Sequence, residues 1–283
     1  MKLKELKQVF ITDIQDQYSP DEAAAMFDIV IGKTLNISRS SFIIKQEQEV
    51  SANFKTQIEN IVKQLQTGKP IQYILSETSF YGLNFYVDEH VLIPRFETEE
   101  LVQLVIQTFK NAALDFKKML DIGTGTGCIP IVIKKKLPAL QVAALDISLE
   151  ALAIARMNAD RNEVQIDFFE ADILVYQSAE RYDIITSNPP YIRELEKADM
   201  HQNVLDHEPH LALFVSNERP LVFYEAIAKF GKTNLAPDGV LFLEINEHLG
   251  DQMKEMLLAE SFKNIQLFKD MQGKDRIISC QFH

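Results

Sequence analysis

The sequence predicts an α/β protein. Its larger part is a Rossmann-like domain with a mostly parallel sheet, and a small N-terminal helical bundle is joined to it by a β-hairpin. Three observations predict this. Short apolar strands alternate with helical patterns from Lys118 onward, the signature of a parallel sheet with helices on both faces. Apolar residues in the first 70 positions recur at helical spacing instead. Between them, residues 71–93 are rich in aromatic and β-branched residues around Gly82, the signal of a hairpin. The expected boundaries are 1–70, 71–93 and 94–283.

Leu3, Leu6, Val9, Phe10 and Ile14 mark the first helical stripe. Ser19-Pro20-Asp21-Glu22 is a helix start, with a capping Ser, Pro at the first helical position and Glu at the capping-box position. Phe54, Ile58, Ile61, Val62 and Leu65 form another stripe, stopped by Gly68 and Pro70. A local core accounts for these stripes, and no motif among them suggests chemistry. A further helical pattern spans Glu99 to Lys110. Strands are expected near 118–122, 141–146, 164–169, 182–187 and 239–245, and helices near 128–136, 149–160, 220–235 and 248–260. Two strands in succession close the chain and predict an antiparallel edge.

Composition bounds the function. At 46% hydrophobic and 25% charged, the chain reads as a globular protein. No stretch approaches the roughly 18 apolar residues of a membrane span, and charges interrupt the N-terminus where a signal peptide needs an apolar run. Two distant cysteines, Cys128 and Cys280, form no CxxC pattern, which fits core fillers in a reducing cytoplasm. Net charge is −12. Residues 1–70 are neutral, so the excess lies beyond them. An acidic body repels phosphate backbones, so direct nucleic-acid binding is not expected.

The strand near 118–122, which carries Asp121, runs through Gly123, Thr124, Gly125, Thr126 and Gly127 into a helix. Glycines allow a tight turn and close approach of a ligand. A dinucleotide loop reads G-x-G-x-x-G; here the third glycine comes one residue early, and Asp121 adds negative charge. That charge is unwelcome beside a pyrophosphate and welcome beside an ammonium and a sulfonium. The loop therefore points to S-adenosylmethionine. Asp146 ends the next strand, where an acid can accept from ribose hydroxyls. Asp172 ends the third strand region, and it or Ile173 could meet the adenine. A solvated turn is the other reading of Asp172.

Asn188-Pro189-Pro190-Tyr191 follows the fourth strand. Ligands bind beyond the carboxyl ends of such strands. Asn188 would accept a hydrogen bond from a substrate NH2, the Pro189 carbonyl would accept a second, and the Tyr191 ring would pack on a flat substrate group. The two prolines hold the loop extended. This arrangement suits methyl transfer to a planar nitrogen.

With these motifs, the chain resembles the HemK-type release-factor glutamine N5-methyltransferases. The resemblance covers nearly the whole length. It rests on the helical N-terminal domain and the hairpin, LIPRFETE at 92–99, LDIGTGTG at 120–127, NPPYI at 188–192, HEPHLALF at 207–214 and KDR at 274–276. It implies a class I methyltransferase fold and N5-methylation of the glutamine in a Gly-Gly-Gln tripeptide of peptide-chain release factors. The cofactor would be S-adenosylmethionine and its product S-adenosylhomocysteine. By position, Gly123 to Gly127, Asp146, Asp172 or Ile173, and Asn188 would contact the cofactor. Asn188, Pro189, Pro190 and Tyr191 would hold the glutamine. Phe96 stands where the family pattern usually has a second proline. His201, His207, His210 and Glu208 cluster in sequence, but the chemistry needs no metal and none is expected. The rival functions are glutamine methylation of a ribosomal protein, amino-methylation of DNA or RNA, and cofactor binding without catalysis.

Overall fold

The computed structural model describes residues 1–111 and 117–282. Contacts divide the chain into two units. One comprises Met1–Ser76 with His201–His207, and the other the described residues of Glu77–Met200 and Glu208–His283.

The first unit contains α1 (Leu3–Asp13), α2 (Pro20–Leu35), α3 (Arg39–Lys45), α4 (Ala52–Leu65) and α5 (Ile71–Leu75). Ser19 caps α2 through the expected box: its hydroxyl accepts from Glu22 N at 3.3 Å, and Glu22 accepts from Ser19 N at 2.9 Å. The stripes of α1, α2 and α4 bury Leu6, Phe10, Phe27, Ile58 and Leu65 in one core. Residues 71–75, grouped with the hairpin in the sequence reading, are helical. Pro70 supplies the start of that helix and Ser76, left-handed at φ 51°, its end.

The second unit opens with β1 (Thr78–Phe80) and β2 (Leu83–Phe85), paired antiparallel. Next come α6 (Phe96–Asn111), β3 (Lys118–Ile122), α7 (Cys128–Lys136), β4 (Gln141–Asp146), α8 (Leu149–Arg161), β5 (Asp167–Glu170) and β6 (Tyr182–Ser187). A two-strand patch, β7 (Ile192–Arg193) with β8 (Phe214–Val215), brackets α9 (Gln202–His207), the segment that belongs to the first unit. The chain closes with α10 (Val222–Asn234), β9 (Leu235–Glu244), α11 (Gly250–Ala259), β10 (Lys263–Lys269) and β11 (Asp275–Gln281).

The main sheet has the order β10-β11-β9-β6-β3-β4-β5. β9, β6, β3, β4 and β5 run parallel, and β11 and β10 form the antiparallel edge. Alternate side chains divide between two cores. Met119, Ile184, Phe242 and Ile277 pack with α6 and α7. Leu120, Ile185, Leu243 and Ile278 pack with α10 and α11. This period-2 division is what a sheet covered on both faces requires. β3 lies between β4 and β6, so the chain leaves it beside both neighbours' carboxyl ends.

Candidate active site

Beyond β3 the backbone turns back on itself. Gly123 N and Thr124 N donate to Leu145 O at 2.9 and 3.0 Å. Gly123, Gly125 and Gly127 have φ of 70°, 53° and 78°, values that favour glycine. The three glycines serve different purposes. A Cβ at Gly123 or Gly125 would meet nothing within 4 Å, because both face open space. A Cβ at Gly127 would lie 3.1 Å from Ala155 Cβ and from Ile131 Cδ1, so this glycine lets α7 approach α8.

The open space is a cavity of about 440 Å³. Gly123, Thr124, Gly125, Thr126, Asp146, Asp172, Ile173, Asn188, Pro189 and Pro190 all line it. Asp146 holds the loop from below. Its Oδ2 accepts from Gly125 N at 2.8 Å and its Oδ1 from Ser148 N at 3.0 Å. Burial pushes the Asp146 pKa up, and these N–H donors oppose the shift. Asp172 Oδ1 accepts from Leu174 N at 2.9 Å, a turn contact at the cavity wall. Ile147, Ile173 and Leu174 give the same region an apolar wall.

Three sequence-predicted residues stand elsewhere. Gly127 lies outside the lining, for the packing reason above. Asp121 is wholly buried beneath the loop rather than beside a ligand. Its Oδ1 accepts from Thr186 Oγ1 at 2.6 Å, whereas Oδ2, like the buried Thr124 Oγ1, has no hydrogen-bond partner. Burial raises its pKa to about 7. Tyr191 does not line the cavity. Its hydroxyl donates to Glu244 Oε1 at 3.1 Å, because a phenol tucked against the core needs an acceptor. Burial and the Glu244 carboxylate push its pKa well up.

The histidines do not converge. His201 Nδ1 accepts from Asn203 N at 3.3 Å, and His207 Nε2 lies 3.3 Å from Thr67 O. Glu208 is buried and accepts from Arg95 Nη2 at 2.6 Å and Ile93 N at 3.3 Å. Among the described residues, no group of three His, Cys, Asp or Glu could hold a metal.

Sequence reasoning missed two residues at Asn188. The Asn188 Nδ2 donates to Thr98 Oγ1 at 3.2 Å, and Thr98 Oγ1 donates to Glu244 Oε2 at 2.7 Å. Thr98 sits in the first turn of α6, on the cavity wall with Pro94 and Arg95. Glu244 ends β9 and is 1% exposed; burial raises its pKa, and the Thr98 and Tyr191 hydroxyls oppose that. A lone acid closing the apolar run VLFLE was the available signal for Glu244. Phe96 opens α6 and is 79% exposed. A proline at that helical start would fix φ but fill no space in the cavity.

The residues present fit S-adenosylmethionine. Glycines without a Cβ leave a cradle, Asp146 offers acceptor oxygens for a diol, and an apolar wall suits a purine.

Comparison with known proteins agrees. Residues 98–212 match the family model described as Methyltransferase small domain, and residues 11–75 match PrmC N-terminal domain. A relative from Flavobacterium psychrophilum, named Release factor glutamine methyltransferase, is 43% identical over 284 residues, covering 100% of both chains. One of the same name from Bacteroides thetaiotaomicron is 42% identical and covers 94% of this chain and 95% of its own. Among solved structures, the hMettl16 catalytic domain in complex with MAT2A 3′UTR hairpin 6 aligns with TM-score 0.54 at 17% identity, over 83% of this chain and 85% of that one. This last likeness concerns the fold alone. At such identity across the whole length of its relatives, the chain belongs to the release factor glutamine methyltransferase family.

Proposed function

We propose that this protein transfers a methyl group from S-adenosylmethionine to the side-chain amide nitrogen of the glutamine in the Gly-Gly-Gln tripeptide of a peptide-chain release factor. One observation carries the reading. Asn188 and Pro189 line the same cavity as the two uncovered glycines, Gly123 and Gly125. The full-length relatives support the substrate.

Gly123 to Thr126, Asp146, and Asp172 or Ile173 would hold the cofactor. When bound, it supplies a methyl carbon made electrophilic by a sulfonium. The chain's own residues prepare the nitrogen. An amide nitrogen is a weak nucleophile because its lone pair is delocalised. Asn188 Oδ1 and the Pro189 carbonyl would each accept one N–H, fixing the nitrogen and its lone-pair direction. Acceptors also favour the positive charge that develops there. Asn188 takes no proton, so its role is positional and electrostatic. The amide nitrogen becomes acidic once it carries the methyl group, and its extra proton leaves late, to water, without a strong base. Tyr191, turned toward Glu244, acts from behind the loop rather than on the substrate. The N-terminal helical unit would recognise the release factor, and the reaction would take place in the cytoplasm. No helix of the described residues is long and apolar enough to cross a membrane.

The test offers methyl-labelled cofactor separately to purified release factor, ribosomes and DNA, and maps the label by mass spectrometry. Label on the release-factor glutamine is expected. Label confined to a ribosomal protein or to DNA would overturn the reading. Asn188→Ala should lower kcat by about 10²-fold or more while the protein stays folded; near-normal turnover would remove Asn188 from its role.

A further inference from the structure

An asparagine side chain has two ends of nearly equal shape, and only the oxygen can accept from a substrate NH2. Something must decide which end faces the cavity. The environment of Asn188 contains such a device. Glu244 is 1% exposed, and its two carboxylate oxygens accept from different hydroxyls, Oε1 from Tyr191 and Oε2 from Thr98. Thr98 is itself 3% exposed and has a single hydroxyl proton. With that proton given to Glu244 at 2.7 Å, Thr98 Oγ1 can only accept from Asn188. The group it meets at 3.2 Å must therefore be the Asn188 NH2. The amide oxygen is left for the cavity.

We propose that Glu244, acting through Thr98, is the positioning element that fixes the orientation of the Asn188 amide and so presents its oxygen, not its nitrogen, to the substrate. This rests on the reading of Asn188 as the substrate's acceptor. The direction of the relay follows from the hydrogen bonds: both Glu244 oxygens accept, Oε1 from Tyr191 and Oε2 from Thr98, and this turns Thr98 into an acceptor toward Asn188. Without the carboxylate, the Thr98 proton is free to point at Asn188 Oδ1, and the amide can turn over. A donor would then face a donor, and the glutamine nitrogen would lose one of its two anchors. The same carboxylate holds Tyr191, so the first and last residues of the Asn-Pro-Pro-Tyr turn are tied to one group.

Thr98→Val is close to isosteric and removes both the donor and the acceptor. It should lower kcat for release-factor methylation about 10- to 100-fold, the scale expected for a misplaced reacting group. Its affinity for S-adenosylmethionine by calorimetry should stay within about twofold. Thr98→Ser, which keeps the hydroxyl, should restore most of the loss. Glu244→Leu should fall as far as Thr98→Val, and the double variant should fall no further, because both act through one relay. A kcat within about twofold of wild type for Thr98→Val, or multiplicative losses in the double variant, would overturn the proposal. A general packing defect would instead weaken cofactor binding and would not be rescued by serine.

Nuclear magnetic resonance of the side-chain amides gives a readout free of activity. In the wild type, the Asn188 NH2 protons should show a cross-peak to the Thr98 side chain, and Glu244→Leu should abolish it. Absence of that cross-peak in the wild type would overturn the proposal even if methylation proceeds. Its presence in a protein that leaves the release factor unlabelled would uphold the amide orientation while removing the substrate assigned above.

Discussion

Asp121 and Asp146 occupy successive strand ends of one sheet, yet burial sets them to different tasks. Asp146 keeps both oxygens in hydrogen bonds at the cavity. Asp146→Ala should weaken S-adenosylmethionine binding about tenfold, as expected for loss of hydrogen bonds to a charged group; a titration with unchanged affinity would exclude the ribose role. Asp121 has a folded pKa of about 7, above the ordinary Asp value near 3.9. Between these values the fold holds a proton that the unfolded chain has released. Stability from this group is therefore full below about pH 4 and declines as pH rises toward 7, by ~4 kcal/mol in total. In cofactor-free protein, Asp121→Asn should remove that decline. The melting temperature of the variant, relative to wild type, should be higher at pH 8 than at pH 5. An equal difference at both values would mean that Asp121 is ionised throughout.

At the scale of elements, the glycine loop joins β3 to α7 and separates binding from packing. Gly125→Ala places a methyl group in open cavity, and Gly127→Ala places one against α8. Both incur the left-handed backbone strain of roughly 1 kcal/mol. Overpacking adds about 1–3 kcal/mol at Gly127 alone. Gly125→Ala should mainly weaken cofactor binding, and Gly127→Ala should mainly lower the melting temperature; calorimetry and thermal unfolding on the two variants separate these effects. The reverse pattern would mean that the loop's glycines had been assigned to the wrong tasks. Elements with strong local signals were legible in sequence. β3, α7, β4 and β6 fall where periodicity and glycines placed them. β5 begins at Asp167 rather than near 164, because Glu163 is left-handed at φ 56° and the turn after α8 runs on. β9 begins at Leu235, the C-cap of α10, so the strand takes over where the helix stops. Neither boundary leaves a periodic trace.

Across the whole molecule, each unit has its own core, and the cavity lining belongs entirely to the second unit. Phe27→Ala, at a fully buried site of the first core, should cost that unit about 3–5 kcal/mol. S-adenosylmethionine affinity should stay within about twofold while KM for the release factor rises, since the first unit is proposed to recognise it. A fall in cofactor affinity would contradict this separation. Sequence by itself determined the α/β class, the glycine loop, Asp146 and the Asn188 turn, because each rests on local periodicity, backbone freedom or strand order. Only the tertiary structure placed α9 with the first unit, turned Tyr191 away from the cavity, buried Asp121, and brought Thr98 and Glu244 to Asn188. The side-chain placements depend on which buried polar group finds which partner across 53 to 146 residues of chain, and no local pattern encodes that choice.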